Sequence, residues 1–399
     1  MNSRAPSDMH ARLALARACA WSLLLAGWVG IGSLALALAP SGAQAYAVVA
    51  LWLLALGAAA AIATRGGLRP RARGLALVTA AAVTAGGLWA SLRGGGMPAL
   101  WLAVFGWAVL TALASGVVRS LRLAQAIAPA PPIVSAATGA LVAGLLLGDV
   151  ADPVGLASRL AAFVIATAAL LIALQGAAVS PSRAAGCRAG LFDCSLPAWP
   201  AGAWHDLQSW PTLLAGLAML PMMASLPLIA AWCRAEAVPT QGLVLLHLGG
   251  MFGPVLLLRH EVVAWSASRL ATACTLALAA GAVVVLAAPA PYALLGLAFA
   301  HGTAWGLAWA GQLWAPARRG QQGSSPLRAG AGYASLTLVL GVVVTSFSAA
   351  GVTAIHVALA AIAVIAWFAA LIAHARAGDP GDGPAPAGDR TSWPHARKG

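Results

Sequence analysis

Apolar residues run along this chain in long stretches, separated by short segments that hold the arginines and many of the prolines and glycines. About 20 consecutive apolar residues carry a helix across a hydrocarbon core roughly 30 Å thick. On that basis twelve spans are expected, at 18–40, 45–64, 74–92, 99–118, 133–149, 160–178, 210–233, 240–258, 270–288, 291–314, 331–350 and 352–374. The fifth is short and broken by glycines, and very tight turns join spans 9 to 10 and 11 to 12.

Composition turns these runs into a class. Of 399 residues, 61% are hydrophobic and 8% charged, against about 25% charged in soluble domains. Mean hydropathy is +0.86. No water-soluble fold of this length hides so much apolar surface, so the chain is expected to be an all-α polytopic membrane protein. Its Ala, Leu, Val and Gly suit spans whose backbones approach closely. Arg4, Arg12 and Arg17 precede the first run, and "AQA" (43–45) has the look of a signal-peptidase site. The run at 18–40 exceeds the roughly 7–15 residues of a signal h-region, so it is read as a retained first span.

The net charge of +13 is explained by topology rather than by a nucleic-acid partner. The N-terminal segment, the even-numbered loops and the tail hold 20 of the 23 Arg and Lys; the odd loops carry only Arg93, Arg159 and Arg234. By the positive-inside rule both termini are expected to be cytoplasmic, in a multi-pass protein of the cytoplasmic membrane. The longest internal connection, 179–209, falls between spans 6 and 7. The expected organisation is a six-helix half at 1–178, a central cytoplasmic loop at 179–209, a second six-helix half at 210–376 and a disordered cytoplasmic tail at 377–399, rich in Pro, Gly and Asp.

Candidate chemistry is sparse. Asp149, Asp152, Glu236 and Glu261 lie towards span ends or in loops. With no triad, no P-loop and no paired carboxylates, neither an enzyme nor a catalytic residue is expected. The five cysteines (19, 187, 194, 233, 274) show no zinc-type spacing. What remains is sulfur and imidazole. Met219 and Met223 in span 7, and His247 and Met251 in span 8, form two pairs one helical turn apart. Counting about 1.5 Å per residue from the outer ends, Met223 and Met251 lie about 15 Å deep. Thioether and imidazole are uncharged ligands that suit copper. The same residues also suit packing, since Met fills irregular gaps and a lone intramembrane His commonly bonds across helices. His301 in span 10 lies at similar depth and titrates near neutrality, as a further ligand, a proton carrier or a packing group. His356, near the outer end of span 12, is not expected to act. Trp21, Trp210, Trp232 and Trp314 read as interfacial anchors.

Two six-span halves, a central loop and both ends inside resemble the major facilitator superfamily, and "RGGLRPRAR" (65–73) lies where that superfamily keeps a Gly- and Arg-rich turn, here without its usual acidic residue. The Met-x-x-x-Met of span 7 followed by the His-x-x-x-Met of span 8 resembles the CcoA-like copper importers of bacteria. That resemblance implies a secondary transporter with Met219, Met223, His247 and Met251 as copper ligands. Copper would be the transported substrate, not a resident cofactor, supplied for assembly of cbb-type cytochrome oxidase. A cytoplasmic copper chaperone or oxidase assembly factors would be partners beside the lipid bilayer. Some relatives use a thiol at the position of Cys233 in a redox pair; the partner expected near the first outer hairpin is missing, and Cys233 also reads as a small interfacial hydrophobe. Two other readings stand beside copper import. One is a major facilitator transporter of a small organic solute, with the Met/His cluster as packing. The other is a non-transporting assembly factor or sensor that binds a partner through the tail and the Cys187/Cys194 loop.

Overall fold

A computed structural model describes residues 5–65, 68–123, 133–147, 152–176, 210–224, 226–232, 240–258, 265–288, 290–314 and 326–376. The central loop, the C-terminal tail, Cys187, Cys194, Cys233, Asp149, Glu236 and Glu261 lie outside them. The helices are α1 (Ala5–Leu38), α2 (Gly42–Arg65), α3 (Pro70–Ala90), α4 (Gly96–Leu123), α5 (Ile133–Leu147), α6 (Pro153–Gly176), α7 (Trp210–Ala224), α8 (Leu226–Trp232), α9 (Thr240–Leu257), α10 (Ala267–Ala287), α11 (Ala290–Trp314) and α12 (Pro326–Arg376).

Among the described residues, eight helical stretches are long and apolar enough to cross a membrane, one of them (70–121) holding two of the expected spans, and two shorter apolar helices lie at 134–146 and 241–257; helices and expected spans do not correspond one to one. The first span is longer than expected, because α1 starts at Ala5 and takes Arg12 and Arg17 into the helix. Spans 3 and 4 are joined by a π-type turn at Ser91–Gly95, closed where Gly94 and Gly96 adopt φ of 98° and 49°. Only glycine reaches such angles without a Cβ clash. Span 7 is described as two helical stretches, α7 and α8, on either side of residue 225. Spans 11 and 12 run together as α12, whose 51 residues would extend about 75 Å if straight. It folds back instead. Gly351 abuts Val343 and Phe347, whereas eight residues of straight helix would hold 343 and 351 about 12 Å apart. Its two arms, 330–347 and 350–373, are each long and apolar enough to cross a membrane.

Contacts between helices show how the crossings assemble. In the first half α1 packs on α5, α4, α2 and α6, and α3 on α4 and α6. In the second, α11 packs on α9, α10 and α7, while α12 packs on α10 and α7. The broadest contact between halves joins α2 to α12, and another joins α5 to α9. Tyr46 and Gly57 of α2 meet Gly341 and Gly330, so the first of these uses the first arm of α12, span 11. Adding six to each member turns the pair of spans 2 and 11 into spans 8 and 5, the second contact. Two six-helix halves related by a parallel repeat produce that correspondence.

Lipid competes with side chains for apolar contact, so close packing and hydrogen bonds hold membrane helices together. Arg73 shows the second. Its guanidinium donates to the Gly116 carbonyl (3.2 Å), to Ser120 Oγ (2.7 Å) and to the Leu68 carbonyl (3.1 Å), clamping the start of α3 to the end of α4. Gln175 of α6 donates to the Pro70 carbonyl at 2.6 Å. Asp152 is an N-cap, accepting from the amides of Val154 (3.1 Å) and Gly155 (3.0 Å).

Candidate functional site: the faces of α9 and α11

The segment "HGTAWG" (301–306) places Gly302 and Gly306 one turn apart on α11. A Cβ on Gly302 would collide with the His247 carbonyl, and one on Gly306 with the Met251 carbonyl; on the other side a Cβ on Gly250 would collide with the Phe299 carbonyl. Small residues on both helices let the two backbones touch. The His247–Met251 stripe therefore lies at the seam between α9 and α11.

The other expected pair, Met219 and Met223, sits on α7. Among the described residues α7 packs mainly on α11, α12 and α10, and its continuation α8 meets α9. α11 is the helix that both share. Met219, Met223 and Met251 are all buried. Among the described residues, no group of three or more His, Cys, Asp or Glu is arranged to hold a metal ion.

His247 Nδ1 lies 2.7 Å from the Ala298 carbonyl. A carbonyl only accepts, so Nδ1 carries the hydrogen, and in the neutral ring Nε2 presents a lone pair. The same holds for His356, whose Nδ1 donates to the Val352 carbonyl at 2.8 Å. His301 lies one turn beyond Ala298 on α11. Its ring meets that of His356 edge to face, with centroids 4.4 Å apart at 70°. His247 Nε2, His356 Nε2 and both nitrogens of His301 are buried without a hydrogen-bond partner among the described residues. Each such group costs about 1–3 kcal/mol when left unsatisfied.

His356 is the residue that sequence reasoning discounted. It lies near the start of the second arm of α12 and is buried against His301 of α11. His301 was singled out, but its neighbour was not.

A second feature joins the halves. Trp21 of α1 meets Trp309 (5.2 Å, 73°) and Trp305 (6.3 Å, 72°) of α11 and Phe252 (6.2 Å, 88°) of α9. Phe252 also meets Trp309 at 6.0 Å, and Trp305 and Trp309 stack 5.5 Å apart, only 8° from parallel. All four are buried. Trp21 is thus not an interfacial anchor but part of the contact between halves. Trp210 is half-buried, and the side chains of Trp232 and Trp314 lie outside the described residues. Cys19, two residues before Trp21, is a buried free thiol.

No family model matches the chain, and no curated protein does. Solved structures do. A point mutant of the nucleoside transporter NupG aligns at a TM-score of 0.59 and 12% identity, covering 91% of this chain and 99% of that one. NupG itself aligns at 0.56 and 14%, covering 91% and 98%. The xylose transporter XylE from E. coli, in a partially occluded inward-open conformation, aligns at 0.58 and 14%, covering 90% and 98%. At these identities the likeness is one of fold. The described residues are all-α, the chain is a multi-pass membrane protein, and the fold is of the major facilitator type.

Proposed function

We propose that this protein is a secondary transporter of a small organic solute in a bacterial cytoplasmic membrane, with both termini cytoplasmic. The observation that carries the reading is the aromatic contact of Trp21 with Trp305, Trp309 and Phe252 across the two halves. Solute sites of such carriers lie at the interface of the halves, which rock against one another. On the topology inferred from the arginines, this contact closes the cytoplasmic side of the interface and must part in each cycle. Four aromatic rings also suit an organic solute, whose ring or apolar face they can cover. The neighbours in fold named for nucleoside and for xylose transport support the same class.

Copper import is the second reading. Three buried methionines and the free lone pair of His247 Nε2 favour it. Against it, α9 turns His247 onto α11 rather than onto α7. A ligand that binds only the folded state raises its unfolding temperature. Screening the purified protein with nucleosides, pentoses and Cu(I) separates the readings. Stabilisation by an organic solute supports the first, and stabilisation by Cu(I) alone supports the second.

A further inference from the structure

The geometry points to a polar solute subsite formed by His301, His356 and His247, specific for hydroxyl- or amide-bearing molecules. This rests on the organic-solute reading and names the chemistry by which the solute is held. Four imidazole nitrogens from α9, α11 and α12 are buried in the second half with no partner among the described residues. The bonds to Ala298 and Val352 occupy the Nδ1 hydrogens of His247 and His356, so both rings offer acceptors at Nε2. His301, in ring contact with His356, supplies one donor and one acceptor. A solute that brings O–H or N–H donors and one acceptor satisfies this set; a hydrocarbon or a bare carboxylate does not. Trp305 follows His301 by one turn on α11, and Trp309 by two, within a sector of about 80°. An aromatic wall thus continues from the polar groups towards the other half.

A histidine kept only as core would be improved by an apolar replacement, because the orphaned nitrogens would vanish. The test therefore reads stability and binding together. The full-length protein in lipid nanodiscs is titrated with radiolabelled uridine and D-xylose, as wild type, His301→Leu, His356→Leu and His301→Gln. The expected result is that the Leu variants unfold at or above the wild-type temperature yet bind the preferred probe at least tenfold more weakly. His301→Gln, which keeps a donor and an acceptor, falls between. Leu variants that bind as tightly as wild type overturn the subsite while leaving the organic-solute reading intact. A wild-type protein that binds neither probe but binds Cu(I) overturns that reading and the subsite with it. Should the Leu variants fail to fold, His301→Gln decides the matter: unchanged affinity overturns the subsite, and weakened affinity in a protein of wild-type stability supports it.

Discussion

Trp21 and Trp309 meet edge to face, 5.2 Å apart, one from each half of the molecule. Edge-to-face pairs contribute about 0.5–1.5 kcal/mol beyond the area they bury, so three such contacts on Trp21 hold one closed arrangement without locking it. Trp21→Ala is expected to shift the population towards the state open on that side. The native thiol of Cys19 reports it. N-ethylmaleimide should modify Cys19 slowly in the wild type and about tenfold faster in Trp21→Ala, a shift of about 1.4 kcal/mol, as read by peptide mass spectrometry. Equal rates would remove the aromatic contact from the gating account.

The seam between α9 and α11 makes a prediction about stability. Gly306→Ala drives a methyl into the Met251 carbonyl, and Gly302→Ala does the same at His247. Overpacking of this kind costs about 1–3 kcal/mol. Both variants should unfold several degrees lower in nanodiscs. Gly253→Ala, on α9 with nothing within 4 Å of its added Cβ, should be neutral or slightly stabilising, since Ala favours helix over Gly. A stable Gly306→Ala would mean that the helices are further apart than described.

Much of the fold could be read from the chain, because bilayer thickness imposes a length that hydropathy reports directly. The direction in which each helix faces could not. These helices are apolar nearly all round, so no polar stripe marks the outer face. Trp21 shows the consequence: an aromatic near a span end reads as an anchor, and only its ring contacts with Phe252 of α9 and with Trp305 and Trp309 of α11 reveal an interior position. His356 shows another. Its distance from the end of span 12 was legible, but not the fold-back of α12 that brings its ring to His301. One signal was present and unused. Gly302 and Gly306 form a small-x-x-x-small pattern of the kind that marks helix contacts. With Gly250 opposite, it would have set the backbone of His247 and Met251 against span 10.

Arg73 tests the clamp between α3 and α4. Its three hydrogen bonds, to Gly116, Ser120 and Leu68, come from a charged donor, and such bonds contribute about 1.5–3 kcal/mol when well formed. Half-exposure lowers this towards the bottom of the range. Arg73→Ala should lower the unfolding temperature and the amount of protein in the membrane. Arg73→Lys should rescue only part of the loss, because an ammonium does not reproduce the planar fork. The exposed Arg69→Ala should leave both readouts unchanged. A full rescue by lysine would show that charge alone matters there.

Uptake into proteoliposomes tests the central claim most directly. The purified protein is reconstituted and offered radiolabelled uridine, D-xylose and, under reducing conditions, copper-64 as Cu(I), each against protein-free liposomes. The account predicts saturable, protein-dependent uptake of an organic solute, reduced in Trp305→Ala and unchanged in Met223→Ala. Uptake of copper without either organic solute, abolished by Met223→Ala or His247→Ala, would contradict it.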